Sequence, residues 1–555
     1  MSASGSDTTM VLVRGNACDM CRKRKRRCDA GKPACTPCIK SQLSAQCTYA
    51  GPEARRRSAV SLRELEEAAD KLESRISQLA SEMSAGKQSD LQEPRVVARA
   101  TIRPPPRAIP RILHRTVVPL PMKDPSQDSW TRHHDVPAQI REPLIQAFCK
   151  FRWQFGIQWN IPRLLASLNL STTHPDAPHP AFLNAVLLHG AFFCDTGLKR
   201  YEDLFYRRMS RELALSLEKG DRLFDFIRAS TLAGCYFYCA ARLPEAHTRI
   251  SSTLRFAVAC GFHAISSPSL DTGFHLIPPC ADAIELGDRI NTFWILFNAD
   301  QMGSLLLASP STISDDEITT ILPHRLSAYE NGDYILQPVD TLSSMYDPFV
   351  APAPAKMDHH GTLFPKSLAL LYRVCVLVAR AKGVTVIDSA LRQEVFATAL
   401  AAIKLADSLP PICDQETEFE DSAATLPAFA PVYLAAHAAA IQIMDILPDE
   451  DPKYHSRQVE AARSAMTIVK ELRTVPHGYM PLLLGLTVTP VHAFLVREEM
   501  RYKKSGDTEN ATAMQNDIKT LVETLSRVAE MFPEAGAGQI EIVGRNASDL
   551  KSIEL

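Results

Sequence analysis

Glycine is scarce in this chain, 23 of 555 residues, and none of it forms the G-x-x-x-x-G-K-S/T loop that cradles a nucleotide phosphate. There is no G-x-S-x-G nucleophile elbow and no H-E-x-x-H metalloprotease signature either, so the expectation is that the chain is not an enzyme. Long apolar runs are missing too. Ahead of Arg14 only Met10 to Val13 form an apolar run, too short for a secretory signal core. The best candidate span, Tyr479 to Val496, is interrupted by Pro481, Gly485, Pro490 and His492. These absences point to an intracellular protein with no membrane partner. Histidine is absent until His114, so any metal held near the N-terminus must be held by other side chains.

What is present is an ordinary globular composition, 46% hydrophobic and 22% charged, which excludes a wholly disordered or collagen-like chain. The charge is unevenly placed. Residues 1–60 carry 12 Lys and Arg against 4 Asp and Glu, a net of +8, whereas the remainder carries 49 against 59, a net of −10. A basic head is joined to an acidic body.

Six of the 14 cysteines fall in the first 47 residues: Cys18, Cys21, Cys28, Cys35, Cys38 and Cys47. Their spacing, C-x2-C-x6-C-x6-C-x2-C-x8-C, repeats one half-site twice, a C-x2-C pair followed by a distant third cysteine. In a reducing compartment crowded thiols bind metal rather than pair as disulfides, and zinc takes thiolates in tetrahedral sets of four. Two separate four-sulfur sites would need eight ligands, so six cysteines serve two zinc ions only if two sulfurs are shared. The formal charge of such a cluster is −2, and nearby cations stabilise it. A segment of about 30 residues is too small to fold on an apolar core, and metal binding would supply the folding free energy. The alternative is a single-zinc finger on Cys18, Cys21, Cys35 and Cys38, C-x2-C-x13-C-x2-C, which leaves Cys28 and Cys47 as bystanders.

The stretch CDMCRKRKRRCDAGKPACTPC with Cys47 closely resembles the fungal binuclear zinc-cluster transcription factors. The cysteine spacing agrees, as do Arg22, Arg24, Lys25 and Arg27 between the second and third cysteines, Asp29 after the third, and Pro33. The resemblance implies that Cys18 and Cys35 bridge two zinc ions and that Lys25 reads the guanines of a CGG triplet. It also implies a nuclear, sequence-specific RNA polymerase II transcription factor that works with the transcription machinery.

The chemistry of the basic run agrees with a double-stranded DNA partner. Arg22 to Arg27 are six consecutive cations between metal ligands, where a short helix fits the major groove and Lys or Arg donates to guanine O6 and N7. Lys25 is assigned to base reading; Arg22, Lys23, Arg24, Arg26, Arg27 and Lys40 complete the contact set, mainly on phosphates, where they give affinity and salt dependence. The same run also suits a nuclear-import signal. One triplet is a short address, so dimerisation should follow. Leu62, Ala69, Ile76 and Met83 at a and Leu65, Leu72 and Leu79 at d make about three heptads over 62–84. The flanking charges do not separate homodimer from heterodimer, and a lone amphipathic helix packed on the body is the other reading.

The expected domain order is an N-terminal stretch (1–17), the zinc cluster (18–47), a basic linker (48–61), the coiled coil (62–84), a linker rich in proline and arginine (85–143), an all-α body (144–535) and a tail (536–555). Between Pro94 and Pro143 ten of fifty residues are proline, and Arg95, Arg99, Arg103, Arg107, Arg111 and Arg115 recur every fourth residue. After Pro143 helical periodicity takes over, with Phe226 to Ala241 apolar enough for a buried helix. The fold class is therefore mainly α. HPAFLNAVLLHGAFF, DFIRASTLAGCYFYCAARLPEAH, AVACGFH and INTFWILFNADQM leading to ISDDEITTILP resemble the regulatory, or middle homology, domain of the same family. Cys235 and Cys239, one turn apart, are expected as core, His189 and His437 as hydrogen-bonded core, and His359 and His360 as loop. The acidic stretch from Asp414 to Asp421 is expected as an exposed loop. Two further hypotheses stand beside the transcription factor: a DNA-binding protein with an enzymatic body, and a scaffold whose cluster is only structural.

Overall fold

A computed structural model describes residues 17–24, 26–48, 129–132 and 135–553, apart from short stretches at 133–134, 172–173, 175, 195–196, 271–275, 337–339, 348–358, 383–387, 416–418, 420 and 448–451. Lys25, the heptads at 62–84 and the arginine series at 95–115 lie outside the described residues. The chain divides into two compact units, residues 1–93 and 94–555, each taken by itself below.

In the first unit two short helices, α1 (Asp19–Lys23) and α2 (Thr36–Lys40), each begin one residue after the leading cysteine of a C-x2-C pair. A single turn of 3-10 helix covers Ser44–Gln46. Its core is the six cysteines, all buried, and among the described residues Ala17, Met20 and Ala34 are the apolar side chains packed against them. So small an apolar set cannot hold a fold, and the sulfurs must do so through metal.

The second unit is built from α3 (Ala138–Phe151), α4 (Ile161–Leu168), α5 (Pro180–Phe193), α6 (Glu202–Lys219), α7 (Leu223–Cys239), α8 (Leu243–Ala259), α9 (Ala283–Leu307), α10 (Leu326–Asn331), α11 (His360–Lys382), α12 (Ser389–Ser408), α13 (Thr425–Met444), α14 (Pro452–Leu472), α15 (Leu484–Ser505), α16 (Thr508–Met531) and α17 (Pro533–Ile553). No strand occurs among the described residues. Starts and stops follow local chemistry. Asn160, Asp282, Asp388 and Asp507 accept the amides of Arg163, Glu285, Leu391 and Asn510 as N-caps. Gly220 and Gly506, both with positive φ, close α6 and α15.

Neighbouring helices pack in a continuous array: α3 on α5, α5 on α6 and α7, α7 on α8, α8 on α9, α9 on α11, α11 on α13, then α13 through α17. Helices α5, α9 and α13 are buried nearly all round, which is why their sequences lack a polar face. Asp300, wholly buried on α9, accepts from Ser251 Oγ (3.0 Å), Ser311 Oγ (3.0 Å), Thr312 N (2.8 Å) and Thr312 Oγ1 (2.5 Å). It ties the segment after α9 to α8. Gly190 lets α3 and α5 touch backbone to side: a Cβ there would fall 2.1 Å from the Leu144 carbonyl oxygen.

The structure revises several expectations. The body does not begin after Pro143: α3 starts at Ala138 and contains that proline, whose i−4 residue Gln139 is exposed, so its carbonyl can turn to water. Trp130, expected in the linker, packs on Tyr201 (5.0 Å) and Phe205 (6.3 Å) beneath Arg208 (5.5 Å), and Arg208 donates to the Thr131 carbonyl (2.9 Å). Residues 536–553, expected as tail, continue α17; Gln539 donates to Leu482 O and accepts from Gly485 N, and Val543 is buried. His359 and His360 are buried at the start of α11 rather than looped out. Phe419, in the acidic stretch expected to be exposed, is buried under Arg152 and His360. The buried helix expected from Phe226 is α7, shifted to Leu223–Cys239, and Cys235 and Cys239 are core as expected, their thiols pushed far up by burial. His189 Nε2 donates to Leu232 O (2.7 Å) inside the core.

Two helical stretches, His360–Lys382 and Ser422–Met444, are long and apolar enough to cross a membrane by composition. Their apolar windows are 67% and 89% buried inside this unit, as core helices require.

Candidate metal centre and nucleic-acid interface

The six sulfurs fall into two sets of four, Cys18, Cys21, Cys28, Cys35 and Cys18, Cys35, Cys38, Cys47, each with all sulfurs within 4.8 Å of one another. Cys18 and Cys35 are common to both sets. Neighbouring sulfurs lie 3.6 Å (Cys18–Cys35 and Cys21–Cys35), 3.7 Å (Cys18–Cys38 and Cys35–Cys47) and 3.9 Å (Cys21–Cys38) apart. These separations decide the chemistry. A disulfide needs about 2.05 Å, whereas four sulfurs about 2.3 Å from a tetrahedral zinc stand about 3.8 Å from each other. The donor set therefore fits zinc, and the single-finger set Cys18, Cys21, Cys35 and Cys38 does not account for the convergence of Cys28 and Cys47.

The two halves repeat in structure as in spacing. The Cys18 amide donates to Cys28 Sγ (3.4 Å), and the Cys35 amide donates to Cys47 Sγ (3.3 Å). Each half is then tied to the other by the residues following the ligands. Asp19 Oδ2 accepts from Thr48 Oγ1 (3.0 Å), and Asp29 accepts the Thr36 amide with both oxygens (3.1 Å). The Asp19–Thr48 clasp was not foreseen from sequence; the signal was there, since each member sits one residue after a ligand. Amides aimed at sulfur are the outer-shell donors that a thiolate cluster of net negative charge needs. Without metal the thiols disagree: burial, with the bonds to Cys35 and Cys18, pushes Cys21 up to about 12. At Cys28 burial acts upward, but the amides of Cys18 and Ala30 hold the thiol down at about 7. Thr36 holds the Asp29 carboxyl below the usual carboxylate range.

Around this centre Lys23, Arg24, Arg26, Arg27 and Lys40 are all exposed. Among the described residues none of them makes an ion pair, because Asp19 and Asp29 are engaged with threonines. Arg22 lies within α1, on the backbone between the second ligand and Lys23. A metal-fixed scaffold with solvated cations beside it is suited to bind a polyanion.

Two family matches bear on this arrangement. Residues 16–56 match the fungal Zn(2)-Cys(6) binuclear cluster domain, and residues 152–374 match the fungal specific transcription factor domain. The class they define is a fungal-type transcription factor whose zinc-cluster domain binds two zinc ions. The chain carries both a fungal binuclear zinc-cluster domain and a fungal specific transcription factor domain. No curated protein and no solved structure gives a significant match to the chain. Both matched domains are transcription-factor domains and not enzymes.

Proposed function

We propose that the chain is a nuclear, sequence-specific regulator of RNA polymerase II transcription that reads CGG-type half-sites in double-stranded DNA. Cys18 and Cys35 bridge the two zinc ions, and the remaining four cysteines complete the two tetrahedra. Lys25 donates to guanine in the major groove, while Arg22, Lys23, Arg24, Arg26, Arg27 and Lys40 hold the backbone and set the register. Residues 62–84 pair two chains so that two half-sites are read together. The transcription machinery is the partner of the bound complex.

The observation that carries this reading is the coincidence, in one segment of about 30 residues, of six sulfurs at tetrahedral spacing with a fringe of exposed cations that make no ion pair among the described residues. Selection of bound duplexes from random DNA at fixed salt tests it. Enrichment of paired CGG triplets supports the proposal, and recovery of DNA without any shared triplet refutes it.

A further inference from the structure

A cleft of about 420 Å³ opens on the surface of the helical unit between α3, α4 and the turn before α13. Ile145 and Cys149, one turn apart on α3, line its floor together with Leu165 of α4. Its rim is polar: Gln146 and Lys150 from the same helix, and Asp421 and Ser422 opposite. The volume is in the range of small-molecule sites, which run from about 300 to 1,000 Å³.

Two opposite charges face this cleft, and each is held in place. The Lys150 ammonium lies 5.0 Å from the centre of the Tyr479 ring and 5.4 Å from that of Phe151, and it makes no ion pair among the described residues. Asp421 accepts the Ala423 amide (3.0 Å) and the Tyr479 hydroxyl, which fixes its carboxylate while leaving further lone pairs. The Tyr479 hydroxyl, then the Ala423 amide, and also the charge of Lys150 hold the Asp421 carboxyl below its usual range, so it is ionised at neutral pH. A simple carboxylate would gain Lys150 and meet Asp421; a simple amine would do the reverse. A dipolar ligand suits both.

We propose that this cleft binds a small zwitterion with an apolar side group, of the class of free amino acids, its carboxylate against Lys150, its ammonium against Asp421 and its side group on Ile145 and Leu165. The site is independent of the DNA-binding reading and is tested by ligand binding alone.

The zinc-loaded full chain is titrated calorimetrically with L-leucine, L-methionine and L-phenylalanine, and with 4-methylpentanoate and 3-methylbutylamine, which keep the leucine side group but lack one charge. At least one amino acid should bind saturably, and each one-charge analogue of leucine should bind about tenfold or more weakly than leucine itself, the loss of one charge-assisted contact. Lys150→Met should weaken amino-acid binding by a similar factor without changing the urea midpoint. Because Asp421→Asn also disturbs Tyr479, Leu165→Glu serves as a second block of the floor and should abolish binding. Absence of saturable binding by all three amino acids up to about 10 mM, where even weak sites fill, would overturn the proposal. So would equal binding of the one-charge analogues, or full binding by Lys150→Met.

Discussion

Asp288 offers a prediction whose size can be worked from the structure. It lies buried on α9, accepts the Asn160 amide at 2.9 Å, and has Arg228 and Arg163 as its nearest compensating charges. Burial outweighs these and pushes its carboxyl up to about 6, from an ordinary 3.8. A folded-state value above the unfolded one means that the fold prefers the neutral acid. The contribution of Asp288 to stability is therefore fully present only below pH 3.8, falls as pH rises from there to about 6, and carries the full penalty above pH 7. A shift of about two units corresponds to roughly 3 kcal/mol. Asn keeps the carbonyl that accepts the Asn160 amide and removes the charge, so Asp288→Asn should raise stability at pH 7.5 by up to about 3 kcal/mol. At pH 4.5, less than one unit above the ordinary carboxyl value, the gain should fall to about a third of that. Urea denaturation at the two pH values, followed by tryptophan fluorescence, reads the difference, since Trp159 packs one residue before Asn160. Equal destabilisation by Asp288→Asn at both pH values would refute the argument and show that the ionised form is the one the fold needs.

Other perturbations separate the remaining parts of the account. Lys25→Ala should remove about 1 to 3 kcal/mol of preference for CGG-containing duplexes over scrambled ones; equal losses on both, with two zincs retained, would take Lys25 out of the reading role. Arg27→Ala should weaken all sequences alike and lower the salt slope by about one unit; a loss confined to CGG duplexes would contradict a phosphate contact. Prolines at both Leu72 and Ile76 should reduce binding to a paired site far more than to a half-site, as measured by gel shift and sedimentation, and a wild-type chain that is monomeric on paired DNA would dismiss the coiled coil. Gly190→Ala should destabilise the helical unit by about 1 to 3 kcal/mol despite the better helix propensity of alanine, because the Leu144 backbone cannot yield the space; an unchanged melting midpoint would mean that α3 and α5 separate freely.

The metal centre was legible because zinc dictates spacing: six cysteines can serve two zinc ions only by sharing two sulfurs, and the family resemblance pointed to Cys18 and Cys35, the pair that occurs in both sulfur sets. Helix α7 was legible from the apolar run that begins at Phe226, since a buried helix writes its lack of exposure into the sequence. Three of the revised positions share one physical reason. His359, His360 and Phe419 are buried by contacts with residues far along the chain, His360 edge-on to both Phe419 and Phe429, and no local pattern announces such partners. Local composition suggested a polar loop in each case. At Pro143 the error ran the other way: a proline one to two turns into a helix costs little where the freed carbonyl faces water, so it marked no boundary. Residues 536–553 carry a sparse apolar face and so read as a tail in sequence, but Gly536, where a Cβ would come 2.4 Å from Ala529, lets α17 fold back closely on α16.

The central claim is that six sulfurs hold two metal ions through two shared ligands, and the zinc content of the intact chain tests it most directly. Native mass spectrometry of the zinc-loaded protein should show two zinc ions per chain, with both lost to a strong chelator, and Cys28→Ser or Cys47→Ser should each disturb the count. One zinc ion per chain, unchanged by either substitution, would contradict the binuclear centre and leave a single finger on Cys18, Cys21, Cys35 and Cys38.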